Sequence, residues 1–179
     1  MDAMFGSNLA HCFFFLQDFQ HNLSFEFGCI SFSFHIPTLT SPFSCLKSWV
    51  HYKETGLCGA RGIDQEFIHD VDATIVLDRR GTRDIVTGCR GMFDFCEASY
   101  GELFERAGRL VGMNDWKATR NGGSSDAKVF AEFGIPSVNL SIGYRDEHTD
   151  FEEVDYCATF ETVVLVETVL SHRLIQQNS

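Results

Sequence analysis

The stretch "SVNLSIGYRDEHTD" runs from Ser137 to Asp150. Val138, Leu140 and Ile142 alternate with Asn139, Ser141 and Gly143, the period-two spacing of a buried strand. Immediately after it come Arg145, Asp146, Glu147, His148 and Asp150. In an α/β sheet, ligands bind outside the carboxyl ends of strands, so a strand that delivers an imidazole among carboxylates at its end marks the place to look for chemistry.

Working outward, "ATIVLD" (73–78) reads as a second apolar strand that closes on Asp78. "DIVTG" (84–88) reads as a third, after the turn Arg80-Gly81-Thr82. "SYGELFERAGRLVG" sets Leu103, Phe104, Ala107 and Val111 at helical spacing, with Gly112 as the stop. "SDAKVFAEFG" predicts a short helix over 125–133, capped by Ser124 or Ser125 and ended by Gly134. "DYCATFETVVLVETVLSHRL" predicts a long C-terminal helix with Asp155 as N-cap and a stripe of Phe160, Val163, Val164, Glu167, Leu170 and Leu174. Residues 51–179 therefore read as alternating α and β, without an internal repeat.

The first fifty residues differ. They hold ten of the eighteen phenylalanines but only four charges, Asp2, Asp18, Glu26 and Lys47. "LSFEFGCISFSFHIP" places Phe25 and Phe27, then Phe32 and Phe34, at period-two spacing, which predicts one or two strands before Pro37 and Pro42 break the pattern. The chain thus divides into an apolar Phe/Ser-rich segment, 1–50, and an α/β part, 51–179. The first segment reads either as edge strands of the main sheet or as an apolar arm.

With 179 residues, 44% of them hydrophobic, the chain is long enough for one core. A net charge of −11 argues against nucleic acid or an anionic membrane as partner, since both select basic patches. The acidity serves solubility, or it brings carboxylates together around a cation. Seven cysteines, an odd number without a CxxC pair, argue against a zinc ribbon and a disulfide scaffold and fit free thiols in a reducing, cytoplasmic setting. No apolar run reaches the roughly 18 residues of a membrane span. "MDAMFGSNLAHCFFFLQDFQ" lacks the basic start of a signal peptide.

Four segments in order resemble the C-terminal part of the zinc-dependent exopeptidase superfamily, the co-catalytic aminopeptidases and their carboxypeptidase and dipeptidase relatives. "HYKETGLCGARG" resembles the family's Glu-Glu-x-Gly-x-x-Gly-Ala segment through Glu54, Gly56, Gly59 and Ala60. "TIVLDRRGTRDIV" resembles the strand with a terminal metal-binding aspartate. Gly122-Gly123-Ser124-Ser125-Asp126-Ala127 resembles the Gly-Gly-(Thr/Ser)-Asp-Ala turn, one residue longer than its shortest form. Gly134-Ile135-Pro136 and the run from Tyr144 to His148 resemble the strand and loop histidine that follow.

The resemblance implies an α/β fold with a mixed β-sheet flanked by helices, a phosphorylase/hydrolase-like zinc-exopeptidase architecture truncated at the N-terminus. It implies one or two zinc ions held by Glu54, Asp78 and His148, and a pocket wall shaped by Gly123 and Asp126 that receives a peptide or aminoacyl substrate. For Asp126 the plainer reading is a charge favoured by the N-terminus of a helix. The implied activity is metal-dependent hydrolysis of a peptide bond at a chain terminus.

The sequence also departs from the pattern. Lys53 stands where the family has its general-base glutamate, and a charged ammonium takes no proton from water. No His-x-Asp segment occurs upstream; His11, His21 and His35 lie in other contexts. The alternative reading is therefore a catalytically silent fragment or pseudoenzyme of the superfamily. A third is a plain α/β domain in which His148 is a surface loop residue. An exposed sheet edge and the early phenylalanines also lead to an expectation of self-association as a homo-oligomer.

Overall fold

In the computed structural model, residues 12–17, 46–51, 57–147 and 149–175 are described. In chain order the elements are β1 (Cys12–Gln17), β2 (Leu46–His51), α1 (Cys58–Arg61), α2 (Gln65–Ile68), β3 (Ala73–Arg80), β4 (Asp84–Val86), β5 (Gly88–Cys89) and β6 (Phe93–Asp94). There follow α3 (Ala98–Leu110), β7 (Lys117–Thr119), α4 (Asp126–Glu132), β8 (Ser137–Arg145), β9 (Glu153–Val154) and α5 (Tyr156–Ser171). Phe25, Phe27, Phe32 and Phe34 lie outside the described residues.

Among the described residues, seven strands form one sheet in the order β2-β1-β3-β8-β4-β7, with β9 added to the end of β8. β1 runs parallel to both β2 and β3, and β3 parallel to β8, whereas β4 is antiparallel to β8 and parallel to β7. The sheet is therefore mixed, as the α/β reading requires. β5 and β6 make a separate two-stranded ribbon.

β3 and β8 occupy the middle of the sheet, and their sequences show why. A central strand covered on both faces needs apolar side chains at both parities. Ala73, Ile75 and Leu77 enter one core with Val138, Leu140, Ile142, Ile85 and residues of α3 and α5. Val76 enters the opposite core with Val86, Phe95, Ile63, Ile68 and the α4 residues Ala127 and Phe130. Every residue of β8 from Ser137 to Tyr144 is buried. Polar side chains on these strands pair with one another: Thr74 Oγ1 lies 2.5 Å from Ser137 Oγ between β3 and β8. Burying such hydroxyls without partners would cost a few kcal/mol.

α3 buries Tyr100, Leu103, Phe104 and Ala107, and the Tyr100 and Phe104 rings meet edge-on with centroids 5.5 Å apart. Val111, expected on that stripe, is the C-cap and is exposed. Gly112 and Gly134 follow α3 and α4 in the left-handed region, at φ +78° and +86°. Asp155 caps α5 by accepting from the N–H groups of Cys157 and Ala158 at 2.9 and 3.2 Å.

The face of α5 differs from the expected stripe. Leu174 is buried in the core and Leu170 packs against it, as expected, but Phe160 is 60% exposed and Glu167 faces solvent, while Ala158, Thr162, Leu165, Val166 and Val169 are buried. The physical reason is close approach to β8. The Thr162 hydroxyl donates to Ser141 O at 2.7 Å and the Thr159 hydroxyl to Ile142 O at 2.8 Å. At Gly143 (φ +94°) a Cβ would lie 2.8 Å from Ala158 Cβ and 2.9 Å from Asp155 O, so glycine there lets the helix start against the strand. The near-continuous apolar run "TVVLV" offers several faces; small residues facing β8 select one.

Two local environments bear on pH. The Arg83 guanidinium is pushed further up by hydrogen bonds to Glu161 and Asp115, and the same contact to Arg83 lowers the Asp115 carboxyl. Burial, then the charges of Asp94 and Glu97, push the Cys96 thiol up to about 12. Cys89, Cys96 and Cys157 are free thiols. Among the described residues, no helix is long and apolar enough to cross a membrane.

Candidate functional site

Asp78 lies near the carboxyl end of β3, as its sequence position suggests, but it leaves the regular ladder. Leu77 pairs with Leu140 and Arg79 with Ser141, so β3 spends one more residue than β8 between the two pairs. Asp78 is that extra residue. Such irregularities detach a residue from the ladder and re-aim its side chain.

Asn139 of β8 meets it twice. Its Nδ2 donates to Asp78 Oδ1 in a short hydrogen bond, and its Oδ1 accepts from the Asp78 N–H at 3.4 Å. Asn139 is only 4% exposed and Asp78 is partly buried, so this amide–carboxylate pair sits in the sheet rather than in bulk water. Beside it, Ser141 Oγ donates to Arg80 O at 3.0 Å and accepts from the Asp84 N–H at 3.3 Å.

The strand ends of β3 and β8 are tied together beyond the bulge. Gly81 N donates to Tyr144 O at 3.0 Å and Gly143 N to Gly81 O at 2.9 Å. Arg80 Nη1 reaches Glu147 Oε1 at 3.2 Å. The residue just before His148 is thereby linked to the residue two after Asp78. Downstream, the Thr149 hydroxyl and N–H both donate to Asp146 O, at 2.7 and 3.2 Å, and Thr149 Oγ1 accepts from Phe151 N at 3.2 Å. Asp146, Thr149, Asp150 and Phe151 line an open groove of about 650 Å³ there.

The Gly-Gly-Ser-Ser-Asp turn is placed through Gly122. Gly122 N donates to Gly88 O at 3.1 Å, and a Cβ on Gly122 would come within 2.1 Å of Val86 Cγ1. Val86 in turn pairs with Asn139. A Cβ built on Gly123, by contrast, would meet nothing within 4 Å among the described residues. Ser125 is the N-cap of α4 without a side-chain capping bond, and Asp126, in the first helical turn, is 9% exposed.

Of the expected metal ligands, Asp78 is described; Glu54 and His148 lie outside the described residues, as does Lys53. Among the described residues, no three His, Cys, Asp or Glu side chains gather into a group able to hold a metal ion. The described residues alone therefore do not fit zinc. Asn139 and the bulge escaped the reading of the sequence. The signal for the first was present: an amide inside a strand buried on both faces needs a partner.

No protein-family model matches the chain. A curated protein, the uncharacterized protein YqjE of Bacillus subtilis (strain 168), is 35% identical over 69 residues, which is 38% of this chain and 18% of that protein. Among solved structures, the chain is similar to the aminopeptidase PepT from Bacillus cereus ATCC 10987, with a TM-score of 0.56 and 17% identity over 74% of this chain and 64% of that one. It is similar also to a tripeptidase from Staphylococcus aureus subsp. aureus Mu50, with a TM-score of 0.55 and 14% identity over the same shares, 74% and 64%. These likenesses show the fold: an α/β architecture with a mixed sheet flanked by helices, the one implied by the resemblance in the sequence. The chain spans less than two thirds of either peptidase and under a fifth of the curated protein.

Proposed function

We propose that the chain carries the C-terminal portion of the catalytic domain of a metal-dependent exopeptidase-type hydrolase, which cleaves a peptide bond at the terminus of a peptide or aminoacyl substrate. The observation that carries this reading is the link between the two strand ends: Asp78 stands at the bulge of β3, and the Arg80–Glu147 ion pair holds the neighbour of His148 to the same strand end. The fold shared with an aminopeptidase and a tripeptidase supports it.

On this reading Asp78 and His148 join Glu54 as ligands of one or two zinc ions. Carboxylate oxygen and imidazole nitrogen are the donors that zinc takes in catalytic sites. Zinc, when bound, supplies Lewis-acid chemistry for amide hydrolysis. Asp78, hydrogen-bonded to Asn139, supplies one of the carboxylates. Gly123, where a Cβ would meet nothing within 4 Å among the described residues, and the buried Asp126 form the wall along which the substrate backbone approaches. The net charge of −11 supports a partner other than nucleic acid or an anionic membrane, and the free thiols support a reducing, cytoplasmic location.

One observation favours a second reading, a catalytically silent relative. Lys53 occupies the position of the general base, and an ammonium cannot accept a proton while charged. Hydrolysis of aminoacyl chromogenic amides by the full chain, with zinc or cobalt added, separates the two. Turnover that is lost in His148→Ala and Asp78→Ala supports the hydrolase; amides left intact by the metal-loaded wild-type chain sink it.

A further inference from the structure

We propose that Asn121–Gly122 is a deamidation site that the fold holds closed, so that Asn121 converts to aspartate or isoaspartate only when the turn before α4 opens. Of the six asparagines in the chain, Asn121 is the one followed by glycine. Asparagine deamidates when the backbone nitrogen of the next residue loses its proton and attacks the carboxamide carbon. The new N–Cγ bond closes a five-membered succinimide and the side-chain nitrogen leaves as ammonia. Water then opens the ring at either carbonyl, so the net change is amide plus water to carboxylate plus ammonium. A glycine at the second position puts no Cβ in the way of ring closure. Asn121 is exposed, so water reaches it.

The folded chain withdraws the nucleophile. Gly122 is buried, and its N–H donates to Gly88 O at 3.1 Å. Its carbonyl accepts from Arg90 N at 3.0 Å, which bridges Gly122 to Cys89 of the β5–β6 ribbon. Asn121 N donates to Thr119 Oγ1 at 3.2 Å, and Gly91 N to Arg120 O at 2.9 Å, so the backbone is held on both sides of the reactive pair. An N–H bonded in this way must be released before it can lose its proton, the requirement that also governs amide hydrogen exchange. The glycine has no substitute here, because a Cβ on Gly122 would come within 2.1 Å of Val86 Cγ1. The packing of the turn thus demands the residue that makes Asn121 reactive, and the hydrogen bonds of the same turn restrain the reaction.

The restraint is anchored on the ribbon. Arg120 donates through Nε and Nη2 to the two carboxylate oxygens of Asp94, at 2.5 and 2.9 Å, and Nη2 also reaches Gly91 O at 3.4 Å. Asp94 pairs across the ribbon with Gly88, the residue whose carbonyl holds the Gly122 N–H. Asp94 therefore biases the opening of the turn, while its distance along the chain leaves the intrinsic reactivity of Asn121 untouched.

The test incubates the full-length wild type and Asp94→Ala at mildly alkaline pH, folded and in guanidinium chloride. Peptide mapping by mass spectrometry counts conversion at Asn121, and hydrogen exchange follows the Gly122 amide. The proposal expects conversion in denaturant and conversion at least about tenfold slower in the folded wild type. In folded Asp94→Ala it expects conversion and Gly122 exchange to quicken together, by about two- to fivefold, the loss of one partly exposed ion pair. Folded wild type that converts within about twofold of the denatured rate overturns it, as does an Asn121 that stays intact in denaturant. A variant in which exchange quickens without conversion, or in which neither changes, overturns the gating by the ribbon. Should Asp94→Ala not fold, the wild type in graded, sub-denaturing guanidinium serves instead: conversion that rises in step with Gly122 exchange upholds the proposal, and conversion that stays flat overturns it.

Discussion

Arg83, in the turn between β3 and β4, donates through Nε and Nη2 to both carboxylate oxygens of Glu161 on α5, at 3.0 and 2.8 Å. Its Nη1 also donates to Asp115. The turn is therefore fastened to the helix on one side and to the approach of β7 on the other, where Lys117 N donates to Arg83 O at 3.0 Å. Arg83 does this from a left-handed backbone, φ +61°.

Arg83→Ala is expected to lose about 1 kcal/mol in urea unfolding, because the pairs are partly exposed and screened. Arg83→Gly loses the same pairs but relieves the left-handed strain, so it should be more stable than Arg83→Ala by about 1 kcal/mol. The Asp115 carboxyl is lowered by its contact to Arg83. A lowered acid stabilises the fold above its unfolded value and stops doing so as pH falls through the folded one. Asp115→Asn should flatten the acid limb of the stability profile, below about pH 4.

Gly143→Ala should be costly. The position combines φ +94° with a Cβ contact of 2.8 Å to Ala158, and each effect is worth about 1–3 kcal/mol. Gly123→Ala, where a Cβ would meet nothing within 4 Å among the described residues, should leave the melting temperature within about a degree. On the functional reading it should raise KM for aminoacyl amides. Thermal melts of the two variants check the first contrast.

On α5, Leu165→Ala should destabilise by about 2–5 kcal/mol, as buried leucines do. Phe160→Ser, at a position 60% exposed, should stay within about 0.5 kcal/mol. The opposite ranking would restore the stripe through Phe160 and Glu167.

Cys96, with its thiol pushed up to about 12, should resist alkylation in the native state at pH 8, while exposed Cys157 reacts. The linked effect on stability is fully present below the ordinary thiol range and is lost as pH rises toward 12. Cys96→Ala should remove that alkaline decline.

Most of the central fold was legible in the sequence because its two central strands carry runs of apolar residues, alternating in β8 with small or polar ones. "ATIVLD" and "SVNLSIGY" admit few other readings; Asp155 starts α5 by capping it, and Gly134 follows α4 with the positive φ that glycine allows. The face of α5 was not legible. Its apolar residues cover several sides, and the choice among them is made by Gly143, Ala158 and Thr162 at the contact with β8. The candidate site was legible in part. Asp78 stands out as a carboxylate closing a strand, but the bulge that displaces it is a property of two strands together, and so is the meaning of Asn139. Glu54 and His148 were reached through resemblance to known hydrolases.

Calorimetric titration of the full chain with zinc, repeated with Glu54→Ala, Asp78→Ala and His148→Ala, bears most directly on the shared cation site. The account predicts saturable binding by the wild type and a loss of about tenfold or more in affinity in each of the three variants. Binding that is absent from the wild type, or that survives unchanged in all three variants, would contradict it.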